Sequence, residues 1–394
     1  MTSSIKGKPA FRDTNASVLL DLLRGIAALL VLFGHWRNLL FVDYPQLPAH
    51  KSLFLVPYAL SSAGHQAVVI FFVLSGYLIS GSVFRLLERD QWSWKGYLTH
   101  RLVRLWVVLI PGLLLCALWD NIGLHFHLAP SLYNGTAGNH IVPDIHPLLK
   151  PHIFFGNLFF LQSISVPVFG SDGPLWSLAN EFWYYLLFPL GLITLRKQFS
   201  ATQRIASGVL FLAVAWFVRH GILQLFPVWL AGTVLALLPP PRIGNRGRII
   251  AAIIYSPLAF VFAKAHQIPS VLSDYLFGIA TFFFLWTVLS AREPAKQNAL
   301  STRISRSLAG SSYTLYIVHV PFIVLLAALI SGGIRWLPDM PHMIKALAIL
   351  AAALLYAHLV ASITEFHTDK IRRYIEGKLG ISQKPLSNPQ RFPV

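Results

Sequence analysis

Two ionisable side chains, Arg24 and His35, stand inside one apolar segment that runs from about Val18 to Phe41. At hydrocarbon depth such groups cost several kcal/mol on most scales, so they persist where they face a protein interior and do a job. On an α-helix the spacing of the pair is very nearly three whole turns, which puts both on one stripe, roughly 16 Å apart. Asp21 falls near the same stripe and can pair with Arg24 at i,i+3. His35 stands near the far end as the group able to exchange a proton near neutral pH. A guanidinium that can hold an anion and an imidazole that can act as a base are thus predicted on one buried face. The competing reading is a purely structural Asp21–Arg24 pair with a histidine at the interface.

Three further segments carry candidate chemistry. In Phe71-Phe72-Val73-Leu74-Ser75-Gly76-Tyr77-Leu78, the small Ser-Gly pair lets another helix or an elongated ligand approach the backbone. Trp176-Ser177-Leu178-Ala179-Asn180-Glu181 places a carboxylate inside an apolar run, and Ser312-Tyr313-Thr314-Leu315-Tyr316-Ile317-Val318-His319 places a second imidazole in another. Glu181, Tyr316 and His319 each have a bland alternative as helix-pairing groups, and Trp176 as part of an aromatic belt.

The elements that must hold these residues are transmembrane helices. The chain has 394 residues, 55% hydrophobic and 12% charged, with a mean hydropathy of +0.60, which excludes an ordinary soluble domain. Apolar runs near 18–41, 64–84, 98–119, 173–195, 204–220, 222–239, 248–264, 271–290, 309–331 and 342–363 predict about ten spans. Residues 152–165 are too short to cross and read as a re-entrant or interfacial piece. The net charge of +17 does not gather on one soluble face, which argues against nucleic acid. Its basic residues mark alternate span ends instead: Lys6, Lys8 and Arg12, then Arg85, Arg89, Lys95, Arg101 and Arg104, and so on to Lys370, Arg372 and Arg373. Both termini are therefore expected on the cytoplasmic side. The expected fold is an all-α membrane protein with a cytoplasmic N-terminal segment at 1–17, one transmembrane domain at 18–363 and a cytoplasmic amphipathic tail at 364–394. No cleavable signal is expected. The single cysteine, Cys116, excludes an internal disulfide. The histidines of the outer segment, His125, His127, His140, His146 and His152, match no zinc spacing, so no metal is expected.

Taken in series, the Arg-X10-His segment, Phe-Phe-Val-Leu-Ser-Gly-Tyr-Leu, Trp-Ser-Leu-X-X-Glu-Phe-X-X-Tyr and Ser-Tyr-X-Leu-Tyr-X-X-His resemble the acyltransferase-3 family of integral membrane O-acyltransferases. The resemblance implies transfer of an acyl group, most often acetyl, from acyl-CoA to a saccharide or lipid-linked glycan. Acyl-CoA would be a co-substrate, with no permanently bound cofactor, and the setting a bacterial inner membrane. It also implies that Arg24 and His35 are the essential pair and Glu181 the acidic residue of its motif. One motif departs from the pattern: where the family has Arg-Arg-X-X-Arg-Ile-X-Pro, this chain has His100-Arg101-Leu102-Val103-Arg104-Leu105-Trp106-Val107.

The residues themselves are compatible with that chemistry. CoA is anionic, and Arg24, Arg101 and Arg104 fall near one level at the inner face, with Ser75 expected along the donor passage. The pantetheine arm is about as long as the Arg24 to His35 separation, so a thioester can reach His35 while the nucleotide stays inside. His35 and Glu181 lie roughly 9 and 12 Å from the outer boundary by helix rise, so the two can meet in one cavity with Asp21, Trp176, Ser177, Tyr316 and His319 around it. Neutral imidazole suits general-base catalysis on a hydroxyl, with Glu181 orienting it, and a covalent acyl-imidazole route stays open beside direct transfer. The alternative function is a proton-coupled transporter using Asp21, Arg24, His35, Glu181 and His319. Membrane lipids are expected partners; the oligomeric state is left open.

Overall fold

The computed structural model describes residues 14–48, 51–265 and 267–381, apart from the side chains of residues 219 and 220. Lys6, Lys8 and Arg12 and the last part of the tail, 382–394, invoked above, lie outside the described residues. Helices run in the order α1 Asn15–Leu40, α2 Lys51–Ser62, α3 Gly64–Glu88, α4 Trp94–His125 and α5 Pro130–Tyr133. Then come α6 Pro151–Leu158, α7 Trp176–Leu195, α8 Ala201–Leu223, α9 Phe226–Leu237 and α10 Asn245–Lys264. The last are α11 Ser270–Val288, α12 Leu300–Gly310, α13 Ser312–Ser331, α14 Met340–Ile363 and α15 Thr368–Lys378. The fold is all-α, as expected for a membrane protein.

Each apolar run of the sequence coincides with a helix, but not all are of crossing quality. Among the described residues 8 stretches are long and apolar enough to cross a membrane. Helix α9 has 12 residues, a rise of about 18 Å against a hydrocarbon core of about 30 Å. The region 204–239 therefore does not supply two full spans. Helix α7 has 20 residues, but with Asn180, Glu181 and its Trp and Tyr residues it is not among those 8. The segment at 152–165 forms the eight-residue α6 and turns back through left-handed residues at Phe160 and Ser163.

Local chemistry sets the helix ends. Thr14 caps α1 by accepting from the Ser17 N–H, Ser93 caps α4 through Gly96 N–H, and Asp339 caps α14 through His342 N–H. Broad aliphatic faces stay exposed on α8 (Ile205, Val209, Leu212, Trp216) and α10 (Ile249, Ile250, Ile253, Ile254), the pattern of helices solvated by lipid. Helix α13 has the greatest buried share of the spans and packs against α1, α4 and α14.

Two ends of the bundle differ in chemistry. At one, Asn15 N–H donates to Glu293 O, Arg24 to Ala309 O, and Lys95 Nζ to Leu379 O, so the starts of α1 and α4 meet α12 and α15 there. At the other, Phe41 bridges Trp336, while Arg37 (3.1 Å) and Arg335 (2.8 Å) both reach the Asp43 carboxylate. Burial would raise the Asp43 pKa, but the hydrogen bonds and charges of Arg335 and Arg37 outweigh it and hold the group below its ordinary value.

Candidate active site

Arg24 and His35 occupy one uninterrupted helix, and each finds its partner on the segment α12–α13. Arg24 Nη2 donates to Ala309 O at 3.0 Å and lies 3.9 Å from Asp21. His35 Nδ1 is 2.7 Å from His319 Nε2, and the two rings stack with centroids 5.0 Å apart. His319 is fully buried, and its Nδ1 lies 2.8 Å from the carbonyl oxygen of Leu315. A carbonyl only accepts, so His319 Nδ1 carries the proton and, with both rings neutral, His319 Nε2 is an acceptor. His35 Nδ1–H must then be the donor, which leaves the lone pair on His35 Nε2. One backbone carbonyl thereby selects the tautomer of both rings, and the resulting base is held by a second imidazole as a triad holds its histidine.

A cavity of about 1010 Å³ lies alongside. Its walls come from six helices: Arg24 of α1, Phe71 and Ser75 of α3, Arg101 and Arg104 of α4, Ser177 and Glu181 of α7, Tyr316 of α13, and Arg372 and Arg373 of α15. The inner end is closed by Tyr316, whose hydroxyl bonds Ser177 Oγ (2.6 Å) and Pro174 O (3.1 Å), with Phe71 edge-on to its ring. The Tyr316 ring is 6.5 Å from that of His319, so Tyr316 connects the cavity wall to the histidine pair. The opposite end is framed by Arg89 and Ser93 of the α3–α4 turn, by Gly96 in the first turn of α4 and by α15.

The structure thus brings together Arg24, Ser75, Arg101, Arg104, Ser177, Glu181 and Tyr316 in one cavity. Asp21, His35, Trp176 and His319 are not among its described lining residues. Trp176 instead stacks on His65, which is 2.8 Å from Asp274. The expected contact between Glu181 and His35 is replaced by two others. Glu181 Oε1 accepts from Ser75 Oγ at 3.0 Å and from the Tyr185 hydroxyl, and Ser75 Oγ in turn accepts from the Trp229 indole at 3.1 Å. The partner of His35 is His319, expected either as a cavity residue or as a group that hydrogen-bonds between helices. The physical reason is register: α13 packs directly on α1, while α7 reaches the cavity at the level of Ser75.

The basic residues are held by rings and backbone as well as by acids. Arg101, 7% exposed, lies over Tyr97 and Tyr185, and Arg104 lies over Tyr313 and 3.8 Å from Glu365. His100, which departs from the family motif, accepts at Nε2 from Arg372 Nη1 at 2.6 Å. Sequence reasoning missed this contribution of α15, since an amphipathic tail carries the same pattern whether it lies on lipid or docks on a helix.

The backbone approach foreseen at Ser75-Gly76 is realised by α9. A Cβ on Gly76 would sit 1.9 Å from Trp229 O, and one on Gly232 would sit 2.0 Å from Val73 O. The two glycines let α3 and α9 meet backbone to backbone, which delivers the Trp229 indole to Ser75.

A curated relative, an uncharacterized protein of Haemophilus influenzae, is 29% identical over 137 residues, covering 34% of this chain and 51% of its own length. The chain thus spans about half the length of that relative. No solved structure matches the chain. The family described as "Acyltransferase domain" matches residues 18–364, nearly the whole length over which the cavity and the histidine pair are built, and the chain therefore belongs to the acyltransferase-3 family of membrane acyltransferases.

Proposed function

We propose that the protein is an O-acyltransferase that moves an acyl group, acetyl in the first instance, from cytoplasmic acyl-CoA to a hydroxyl of a saccharide or lipid-linked glycan at the outer side of a bacterial inner membrane. The observation that carries this reading is the tautomer-locked His35–His319 pair next to a cavity with Arg24, Arg101 and Arg104 on its walls. The basic end takes the CoA phosphates. The pantetheine arm passes Ser75 and Glu181, and the thioester comes up to Tyr316, which neighbours the His319 of the histidine pair. His35 Nε2 takes the acceptor's hydroxyl proton as its oxygen attacks the thioester carbonyl. The carbon–sulfur bond breaks, and the proton passes from His35 to the departing thiolate, releasing CoA as the free thiol. His319 is a positioning residue that keeps the His35 lone pair at Nε2. Glu181, Ser75 and Tyr185 hold the channel wall, with Trp229 behind Ser75.

The test is CoA release by detergent-solubilised protein given acetyl-CoA and envelope glycan acceptors, with mass spectrometry of the glycan. Wild type is expected to release thiol and add an acyl increment, and His35→Ala to lose roughly 10²- to 10⁴-fold in rate while staying monodisperse. Near-normal turnover by His35→Ala would overturn the assignment of the base. Solute flux into liposomes without any CoA release would favour a transporter.

A further inference from the structure

Helix α15 is the last element of the described fold, and its pattern suits a helix lying on a membrane surface. It is docked against the bundle. It packs along the first half of α4, where Lys95 Nζ donates to Leu379 O and Arg372 donates to His100. The same helix lines the open end of the cavity with Asp369, Arg372, Arg373 and Glu376, facing Arg89 of the α3–α4 turn. Along α4 the cavity thus meets Arg104, Arg101, His100 and finally Ser93, a rise of about 16 Å from first to last. Two basic tiers result. Arg24, Arg101 and Arg104 form the inner one, and Arg89, Arg372 and Arg373 the outer one.

An acyl-CoA read from its thioester presents pantetheine first, then the pyrophosphate, then the ribose 3′-phosphate with adenine. If the thioester lies at Tyr316, the pyrophosphate falls at the inner tier and the 3′-phosphate at the outer. We propose that α15 is part of the donor site and that Arg373, with Arg372 and Arg89, binds the 3′-phosphate, so the protein distinguishes CoA thioesters from dephospho-CoA thioesters. This rests on the acyl-CoA reading above. The geometry favours Arg373 as the contact of choice. Arg372 is held between His100, Asp369 at 3.1 Å and Glu376 at 3.9 Å, whereas Arg373 is exposed and spends its Nε on the Asp369 carbonyl at 3.3 Å. The guanidinium fork is the group suited to a terminal phosphate.

The experiment is calorimetric titration of the solubilised full chain with acetyl-CoA and with its 3′-dephospho analogue. Wild type is expected to bind acetyl-CoA at least about 10-fold more tightly, the size of one charge-assisted contact. Arg373→Ala and Arg373→Gln should each bring that ratio close to one while keeping the wild-type affinity for the dephospho analogue. Lys370→Ala, which removes a charge from the same helix outside the cavity lining, should keep the ratio. Equal wild-type affinity for the two donors would overturn the proposal and leave the acyl-CoA reading standing. So would an unchanged ratio in both Arg373 variants, an equal loss for both donors in those variants, or an equal fall of the ratio in Lys370→Ala. Failure of wild type to bind either donor would instead defeat the acyl-CoA reading itself.

Discussion

The Leu315 carbonyl fixes the protonation pattern of two imidazoles, and through them the position of the one lone pair that can act as a base. His319 should therefore matter through tautomer and not through contact with substrate. Replacing it with Ala is expected to slow transfer on the order of 10²-fold or more. His319→Gln, whose amide oxygen can accept from His35 Nδ1–H, should recover part of that loss, whereas a merely space-filling role would make the two variants equal in rate. At the other end of α1, Arg24→Ala should weaken acyl-CoA affinity by roughly 10- to 100-fold, with little effect on glycan affinity. A titration giving the wild-type donor constant would remove Arg24 from the donor site.

Among the helices, α3 and α9 meet backbone to backbone at Gly76 and Gly232. Gly76→Ala puts a methyl group against a backbone carbonyl that cannot swing aside, as a flexible side chain would. The helices must separate, at an expected cost of about 1–3 kcal/mol, and Trp229 must draw back from Ser75. A lowered melting temperature with a weakened donor affinity is the expected pair of effects. Unchanged thermal unfolding would show that α9 can shift without penalty. Serine alone at position 75 does not create this arrangement; it is the adjacent glycine that lets the indole reach it.

Across the whole molecule, the two ends of the bundle are held by different chemistry. The basic end surrounds the cavity, whereas the far end is clasped by Asp43 between Arg37 and Arg335, joining the ends of α1 and the α13–α14 connection. Because the folded Asp43 pKa lies below the ordinary 3.8, the clasp contributes fully above that value and is lost as pH falls through the folded one. Asp43→Asn should therefore lower the melting temperature near neutral pH, and the gap to wild type should start to close only as pH falls below the ordinary 3.8 and go on closing as it passes through the folded pKa. A gap that stays constant over that range would mean the ion pairs contribute nothing. Arg335 also donates to the Gly138 carbonyl at 2.8 Å, so the loop that holds Gly138 is expected to loosen with the clasp.

The amino-acid sequence alone specifies the helical membrane class, the placement of most spans and the Arg24–His35 stripe, because those properties are periodic and local. Hydrocarbon thickness sets run length, and helix pitch sets which residues share a face. The four motifs likewise mark the family. It did not determine partners across helices, since i,i+4 spacing says nothing about which face meets which. Helix packing is what pairs His35 with His319 and not Glu181, and what turns the Glu181 oxygen to Ser75 and Tyr185. It also brought Arg372 to His100 over 272 positions of chain. Those contacts depend on the rotation and offset of packed helices, which side-chain volume and backbone approach set collectively, with no signal in any single segment.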